Sequence, residues 1–572
     1  MGASVGLVAC GGQVPVARAG AGNLLLLHTS DLHSHVFPSQ FVAGELDSAR
    51  GLGVAGESLS AGGLARLGTL LARERLAAPD SLYLDSGDLW QGTLVHELFE
   101  GEAELVGVAA LRLDAQVVGN HDLDAGLEPL VARYGKLAAF PLLAANYVSL
   151  EPEDEPEALL RPWAVLQAGE LRVGVIGVGN VDSVQALENG TDQLGLEAEL
   201  ASVAVQSSIE LLRPQCDVIV ALTHLGVDRD RELVRRTSGL DLVLGGHQHV
   251  ALDEPVVERD CSVSDEAGPG YVLSRFGERV PCIPRDVLIA HSGAHGHYLG
   301  RMALSLSRSD DEGLEVVGHD FKLLPVGPEL PEDPAVAQAL SSYRETFDRV
   351  LSSAPPIAFA PLALARETDE GGNSELGDLV ADAALAAAPA DLALVPSSSL
   401  RSDLQPGLID ESSLYQALPF PDPLVRSYLT GRALELLFAR IAERARQWGC
   451  RTPVQVAGAA LRFDCAAATA RLFVGVTSSA CSTDLECLSL GGVCGLKRGL
   501  RRCLTPAEPD TLYALTTSRY LLDSDEGADG YGEVVADTLR AAVEGWLRGL
   551  SVCSASLAPA PGETPAGLPC AL

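Results

Sequence analysis

Seven short apolar runs recur through the first half of the chain: Leu24-Leu25-Leu26-Leu27, Leu82-Tyr83-Leu84, Val117-Val118, Val173-Gly174-Val175-Ile176, Val218-Ile219-Val220-Ala221-Leu222, Leu242-Val243-Leu244 and Val287-Leu288-Ile289-Ala290. Each is too short for a helix, and none alternates with polar residues. Unbroken apolarity of this length predicts strands buried on both faces. A sheet of that kind needs a layer packed on each side, which places this half of the chain in the α/β class. Further on, Val336, Leu340, Tyr343, Phe347 and Leu351 fall at spacings of three and four and predict a helix over residues 331–351.

The polar residues just beyond these runs carry the chemistry. Asp31-Leu32-His33, Gly87-Asp88, Gly119-Asn120-His121-Asp122, Thr223-His224 and Gly245-Gly246-His247-Gln248-His249 come directly after them, with Gly179-Asn180 and His291-Ser292-Gly293 in the same region. Strand ends are where loops of such a sheet converge on one site. A single histidine is more often structural than a ligand, but His, Asp and Asn at the end of successive strands form a donor set. Two divalent cations roughly 3.5–4 Å apart take oxygen and imidazole ligands with one bridging carboxylate, clamp phosphoryl oxygens, and supply a hydroxide that attacks phosphorus in line. On this reading Asp31, His33 and His249 hold one metal, Asn120, His224 and His247 hold the other, and Asp88 bridges. His121 then stabilises or protonates the departing oxygen. Asp124 fixes its tautomer. His35, His291, His295 and His297 are left for supporting or substrate-rim positions, and His28 and His96 for structural ones. Zn, Mn, Fe and Co all accept these ligands.

The order Asp-x-His, Gly-Asp, Gly-Asn-His, His, Gly-His-x-His resembles the calcineurin-like metallophosphoesterases. His28 to His35, Gly87 to Thr93, Gly119 to Asp124 and His291 to Arg301 are similar to the secreted 5'-nucleotidase / UDP-sugar hydrolase branch. The resemblance runs over roughly residues 24–550 and weakens in the second half. It implies a two-layered β-sandwich metal domain flanked by helices, followed by a second α/β domain of the 5'-nucleotidase C-terminal type that selects the substrate. The expected division is a leader at 1–23, a metal domain at 24–325 with a loop insertion at 250–285, a linker helix at 326–355, the second domain at 356–550 with a Cys-rich insertion at 465–503, and a tail at 551–572. In the family, rotation about the linker helix carries substrate to the metals.

In the second domain, Asn373 to Ala383 looks like the family's helix start. Leu418-Pro419-Phe420 and Gly527-Ala528-Asp529-Gly530-Tyr531 resemble the loops whose aromatic rings sandwich a nucleobase, which makes Phe420 and Tyr531 the expected clamp. Core or hinge packing is the plain alternative for both. The family's Asn-Gly-Gly-Gly-Ile-Arg loop is Pro396-Ser397-Ser398-Ser399-Leu400-Arg401 here, so Arg401 survives but the amide and the glycines do not. Gly372 stands where a further arginine is expected, with Arg366 a substitute from another position.

Charge and cysteine narrow the setting. With 41 basic and 77 acidic residues the formal net charge is −36, which disfavours nucleic-acid polymers and anionic membrane surfaces as partners. A small phosphate ester, a nucleotide for choice, still binds where two metals dominate the local potential. Twelve cysteines point outside the cytoplasm. Cys481, Cys487, Cys494 and Cys503 lack zinc-type spacing and read as a small disulfide knot. Cys261/Cys282, Cys450/Cys465 and Cys553/Cys570 are further candidate pairs, with Cys216 a buried thiol. Leu7-Val8-Ala9-Cys10-Gly11 resembles a lipoprotein cleavage box, although residues 1–9 are short for a signal peptide and have no basic start. The expected location is therefore secreted or attached to a bacterial-type envelope, with membrane contact only through a lipid on Cys10. The function expected is phosphate removal from nucleotides. Alternatives are a 2',3'-cyclic-nucleotide phosphodiesterase, a hydrolase of another small oxyanion ester such as a sulfur compound, or a non-catalytic surface binder that keeps its metal. An intact His121/Asp124 dyad argues against the last.

Overall fold

The computed structural model describes residues 22–550, apart from 150–159, 181–195, 264–269, 275–276, 283, 310–312, 354, 369–371, 448–452, 465–466, 468, 498–499 and 524–531. Every apolar run of the first half becomes a strand. One sheet takes the order Gly313–Pro325, Tyr298–Ser309, Gly22–Thr29, Leu82–Asp85, Ala115–Val117, Leu142–Leu143, Leu160–Arg161. The other runs Val256–Arg259, Asp286–His291, Leu242–Gly245, Val218–Thr223, Leu171–Val178, Trp163–Ala168. The strands that carry the candidate ligands pair in parallel, so their carboxyl ends lie on one edge of the sandwich.

The unbroken runs reflect two cores served at once. Leu24 and Leu26 point between the sheets with Leu82, Leu84, Val117, Val173, Val175, Val220 and Leu244. Their neighbours Leu25 and Leu27 point the other way, against Leu64, Leu67 and Leu71 of the helix Leu64–Ala77 and Leu105 and Val108 of the helix Glu102–Ala110. On the far side Ile176, Ile219, Val243 and Ile289 meet Val205, Ile209, Leu233 and Val234 of the helices Ala201–Leu212 and Val227–Arg236. Side chains alternate faces along a strand, and both faces here are covered, so both must be apolar.

Residues 331–351 depart from the single helix expected. Asp333 caps Pro334–Ala339 through bonds from Ala335 N and Val336 N, and Leu340 closes that helix at φ −92, ψ 0. A second helix, Ser341–Ser353, comes next. Val336 and Leu340 are drawn into the metal-domain core, while Tyr343 and Phe347 pack on its edge, with the Phe347 ring 5.2 Å from Phe37. The break falls where the chain passes from buried Val336 and Leu340 to partly buried Tyr343 and Phe347 on the same core. The 250–285 segment is likewise more than a loop, because Val256–Arg259 adds an edge strand antiparallel to Asp286–His291.

The second domain has a five-stranded sheet, Val454–Ala457, Leu392–Pro396, Leu512–Ser518, Leu424–Thr430, Glu533–Ala536. Helices Glu375–Ala387 and Leu539–Arg548 cover one face and Gly431–Gln447 the other. Ser374 caps the first of these by accepting from Gly377 N at 3.0 Å. A four-stranded sheet, Ala460–Asp464, Thr469–Ala480, Leu500–Pro506, Val493–Lys497, carries the cysteine knot.

Candidate metal centre and its surroundings

Ligand-bearing residues leave their strands in left-handed turns. Asp31 (φ 51), His33 (φ 44), Asp88 (φ 54), His247 (φ 83) and His249 (φ 57) all sit where residues with a Cβ are uncommon, and such strain gathers at functional sites. The turns are zipped together by Asp31 N donating to Gly87 O, His33 N to Asp88 O and His247 N to Asp31 Oδ1. Gly119 is required there: a Cβ on it would stand 2.2 Å from Asp88 N and Oδ1.

Two groups of donor atoms result. Asp31, His33 and His249 each offer an atom within 4.8 Å of the others, as do Asp88, His224 and His247. Asn120 Oδ1 lies 3.1 Å from His224 Nε2 and 2.9 Å from His247 Nδ1. Asp88 Oδ2 is 3.1 Å from His224 Nε2 and 3.6 Å from His33 Nε2, so it reaches both groups. His33 Nδ1 donates to Gln91 O and His224 Nδ1 to Ser86 O, which turns each Nε2 inward as the atom that would ligate a metal. The donor set fits a pair of borderline cations.

Electrostatics agree. Burial, with neighbouring His33 and Arg401, keeps His249 neutral well below the usual range, and burial does the same to His33. Burial pushes Asp88 up, but His224 and His121 outweigh it and hold the carboxylate well down. His224 resists burial through Asp88 and is raised to about 10. Among the protein groups alone, a proton on His224 answers the Asp88 charge, and a metal must displace it.

His121 stands beside this cluster. Its Nδ1 lies 2.8 Å from Asp124 Oδ2, and its backbone N donates to Asp88 Oδ1 at 2.8 Å. Burial works against its charge, yet Asp124 and Asp88 together raise its pKa. Phe420 stacks on the His121 ring at 5.4 Å, and the Arg401 guanidinium lies 5.7 Å from the Phe420 ring and 3.4 Å from His33 Nε2. The second domain thus delivers two of its three expected residues to the metal edge. The third, Tyr531, lies outside the described residues, as do Cys10 and the pairs Cys450/Cys465 and Cys553/Cys570. A cavity of about 870 Å³ opens on the other side of His33 and His249, walled by His35, His295, His297, Arg366, Arg401 and Phe347. The rings of His35 and His295 stack there at 4.2 Å.

Asp122 and Asp230 were given no role in sequence, while His291 and His28 take the supporting and structural places expected of them. The Asp122 carboxylate accepts from the backbone N of Asp88, Leu89, Trp90 and Gly119, tying the two ligand loops together. Asp230 accepts from Thr223 Oγ1 and bonds His291 Nε2 at 2.7 Å, behind His224. Its sequence signal was a carboxylate on the apolar face of its helix, in line with Leu233 and Val234. Asn180 Nδ2 lies 3.2 Å from His247 Nε2. His28 is buried against Ser86 Oγ at 2.9 Å.

Residues 24–251 match the calcineurin-like phosphoesterase family, and residues 353–534 match the 5'-nucleotidase C-terminal domain. The chain belongs to the 5'-nucleotidase family of calcineurin-like phosphoesterases. Its two-domain α/β architecture is that of the family. Human 5'-nucleotidase is 29% identical over 376 residues, 65% of this chain and 61% of that protein. This chain spans less than two thirds of the length of the mammalian relatives it matches. A 5'-nucleotidase precursor from Thermus thermophilus superposes with a TM-score of 0.73 at 26% identity, covering 93% of this chain and 97% of that one. A sulfate thiohydrolase of the same organism shares the fold at 19% identity, with a TM-score of 0.67 over 91% and 94% of the two chains. The metallophosphoesterase family uses divalent metals, and the two donor groups are candidate sites for them. Cys261–Cys282, Cys481–Cys494 and Cys487–Cys503 are bonded, and Cys216 is free and buried. No helix among the described residues is long and apolar enough to cross a membrane.

Proposed function

We propose that this protein is a metal-dependent phosphohydrolase that either releases phosphate from nucleoside 5'-monophosphates or splits the pyrophosphate bond of nucleotide sugars, outside the cytoplasm or on an envelope to which a lipid on Cys10 ties it. The observation that carries the reading is the convergence of two donor groups on Asp88 with the His121–Asp124 pair beside them. Asp31, His33 and His249 hold one divalent ion, Asn120, His224 and His247 the other, and Asp88 both. When bound, the ions supply charge for the phosphoryl oxygens and a water of lowered pKa as nucleophile.

The chain's own residues supply the rest. Asp124 keeps the proton of His121 Nδ1 in place, so Nε2 faces the leaving oxygen and gives it a proton as the ester bond breaks. Arg401, next to His33, neutralises a phosphoryl oxygen that projects toward the second domain. Phe420, flat against His121, offers a face for the base of the leaving nucleoside. Binding energy from that base is remote from the reacting phosphorus, which separates substrate choice from the chemistry.

The test is hydrolysis of AMP, UDP-glucose, a 2',3'-cyclic nucleotide and a base-free monoester with added Mn2+ or Zn2+, followed as released phosphate for the two monoesters and as the nucleoside monophosphate formed for the other two. Nucleotides are expected to be hydrolysed best, and Phe420→Ala to raise KM for AMP about 5- to 150-fold, the equivalent of about 1–3 kcal/mol of stacking, while sparing the base-free ester. Equal effects on both substrates would remove the nucleotide from this reading. No release from any substrate would remove the hydrolase.

A further inference from the structure

Residues 31–34 form the most contorted part of the ligand edge: Asp31, His33 and Ser34 all have positive φ. Most of what holds this turn belongs to the facing loop. Ser34 N donates to Leu89 O at 2.9 Å and Thr93 Oγ1 to Ser34 O at 2.8 Å, in addition to the bonds from Asp31 N and His33 N. Loop held to loop can shift as one body. One side-chain bond reaches past that loop to a helix of the buried core: Ser34 Oγ donates to Glu104 Oε1 at 2.6 Å, in the first turn of the helix Glu102–Ala110.

Glu104 is a poor choice for packing alone. Its side chain is fully buried, on a helix whose Ala103, Leu105 and Val108 belong to the core. Its Oε2 has no hydrogen-bond partner among the described residues, and its other near neighbour is His96 Nδ1, 3.6 Å from Oε1. A half-satisfied buried carboxylate weakens a fold relative to an apolar side chain of the same size. Its retention here asks for a purpose that packing does not supply.

We propose that Glu104 is a positioning residue for the metal site formed by Asp31, His33 and His249. By gripping Ser34 Oγ it anchors the left-handed turn to the helix, so that Asp31 and His33 stay aimed at His249 when the site is empty as well as when it is loaded. The inference rests on the metal-centre reading above. It implies a selective effect, because Asn120, His224 and His247 are carried by other strand ends that Glu104 does not touch.

Full-length protein, stripped with a chelator and titrated with Mn2+, gives the test through metal equivalents and their affinities. Wild type is expected to take up two. Glu104→Met and Ser34→Ala should weaken one of the two about 10- to 100-fold and leave the other within a few-fold. Glu104→Gln, whose amide oxygen still accepts from Ser34 Oγ, should restore most of the loss. Glu104→Met should also leave the Tm of the chelated protein unchanged or raise it. Two wild-type affinities in both Glu104→Met and Ser34→Ala would overturn the proposal, as would a lower Tm with unaltered metal binding. If Glu104→Met does not fold, Ser34→Ala, which removes one hydroxyl, carries the same measurement. A wild-type protein that binds no divalent metal would overturn the metal-centre reading itself.

Discussion

Replacing His121 by alanine isolates proton donation from metal binding. The backbone N of residue 121, not its ring, bonds Asp88 Oδ1, so the bridge keeps its support and metal content should stay near two equivalents. What is lost is a ring held by Asp124 at 2.8 Å and only 13% exposed. A general acid contributes about 10²- to 10⁴-fold, or roughly 3–5 kcal/mol of barrier, and a ring anchored this well should fall within that range for AMP. The loss should shrink to a few-fold for a nitrophenyl ester, whose leaving group departs without a proton. Asp124→Asn breaks a charged hydrogen bond of about 1.5–3 kcal/mol, but Asp124 is 35% exposed and solvent screening takes its share, so about tenfold is expected. Since Asp124 raises the His121 pKa, its removal should also move the alkaline limb of kcat to lower pH. Steady-state kcat on both substrates, with metal content measured on the same samples, decides the matter. Equal losses on AMP and the nitrophenyl ester would refute proton donation and leave His121 an electrostatic stabiliser.

Asp88→Asn keeps the shape of the bridge and removes its charge, so both metals should bind weakly and turnover vanish; two tightly held equivalents with normal kcat would contradict the bridging role. The chelated protein should lose stability as pH falls: buried His28 titrates near 3 in the fold, by desolvation and then by His291, against 6.5 unfolded. Its contribution is complete above pH 6.5 and drains as pH drops toward 3, the loss reaching about 2 kcal/mol at pH 5; His28→Gln should make the fall of Tm between pH 7 and 5 shallower, and an unchanged slope would exclude His28 as a source. Reducing the knot, whose bridges span separations of 13 and 16 residues, should destabilise the second domain by about 3 kcal/mol per bridge. Alkylation of the denatured, non-reduced protein should reach Cys216 and spare Cys481, Cys487, Cys494 and Cys503; labelling of those four would mean the knot does not form.

The sequence by itself determined the strands of the metal domain and their polar ends, because a strand covered on both faces must be apolar at every position and its ligands can then stand only where it stops. Leu24 to Leu27 and Val218 to Leu222 are legible for that reason, and so are Asp31, Asp88 and His224 just beyond such strands. The helix start at Asn373 to Ala383 was legible through the family resemblance, and the structure adds Ser374 as its cap. Tertiary structure alone decided that the linker breaks at Leu340, because the spacing of Val336, Leu340, Tyr343, Phe347 and Leu351 runs through the break unchanged. It alone placed Arg401 and Phe420 against His33 and His121, residues about 300 or more positions away in the chain. It alone gave Asp122, Asp230 and Glu104 their partners, since a buried carboxylate is defined by the donors that several strands bring to it, and spacing along one chain segment carries no trace of them.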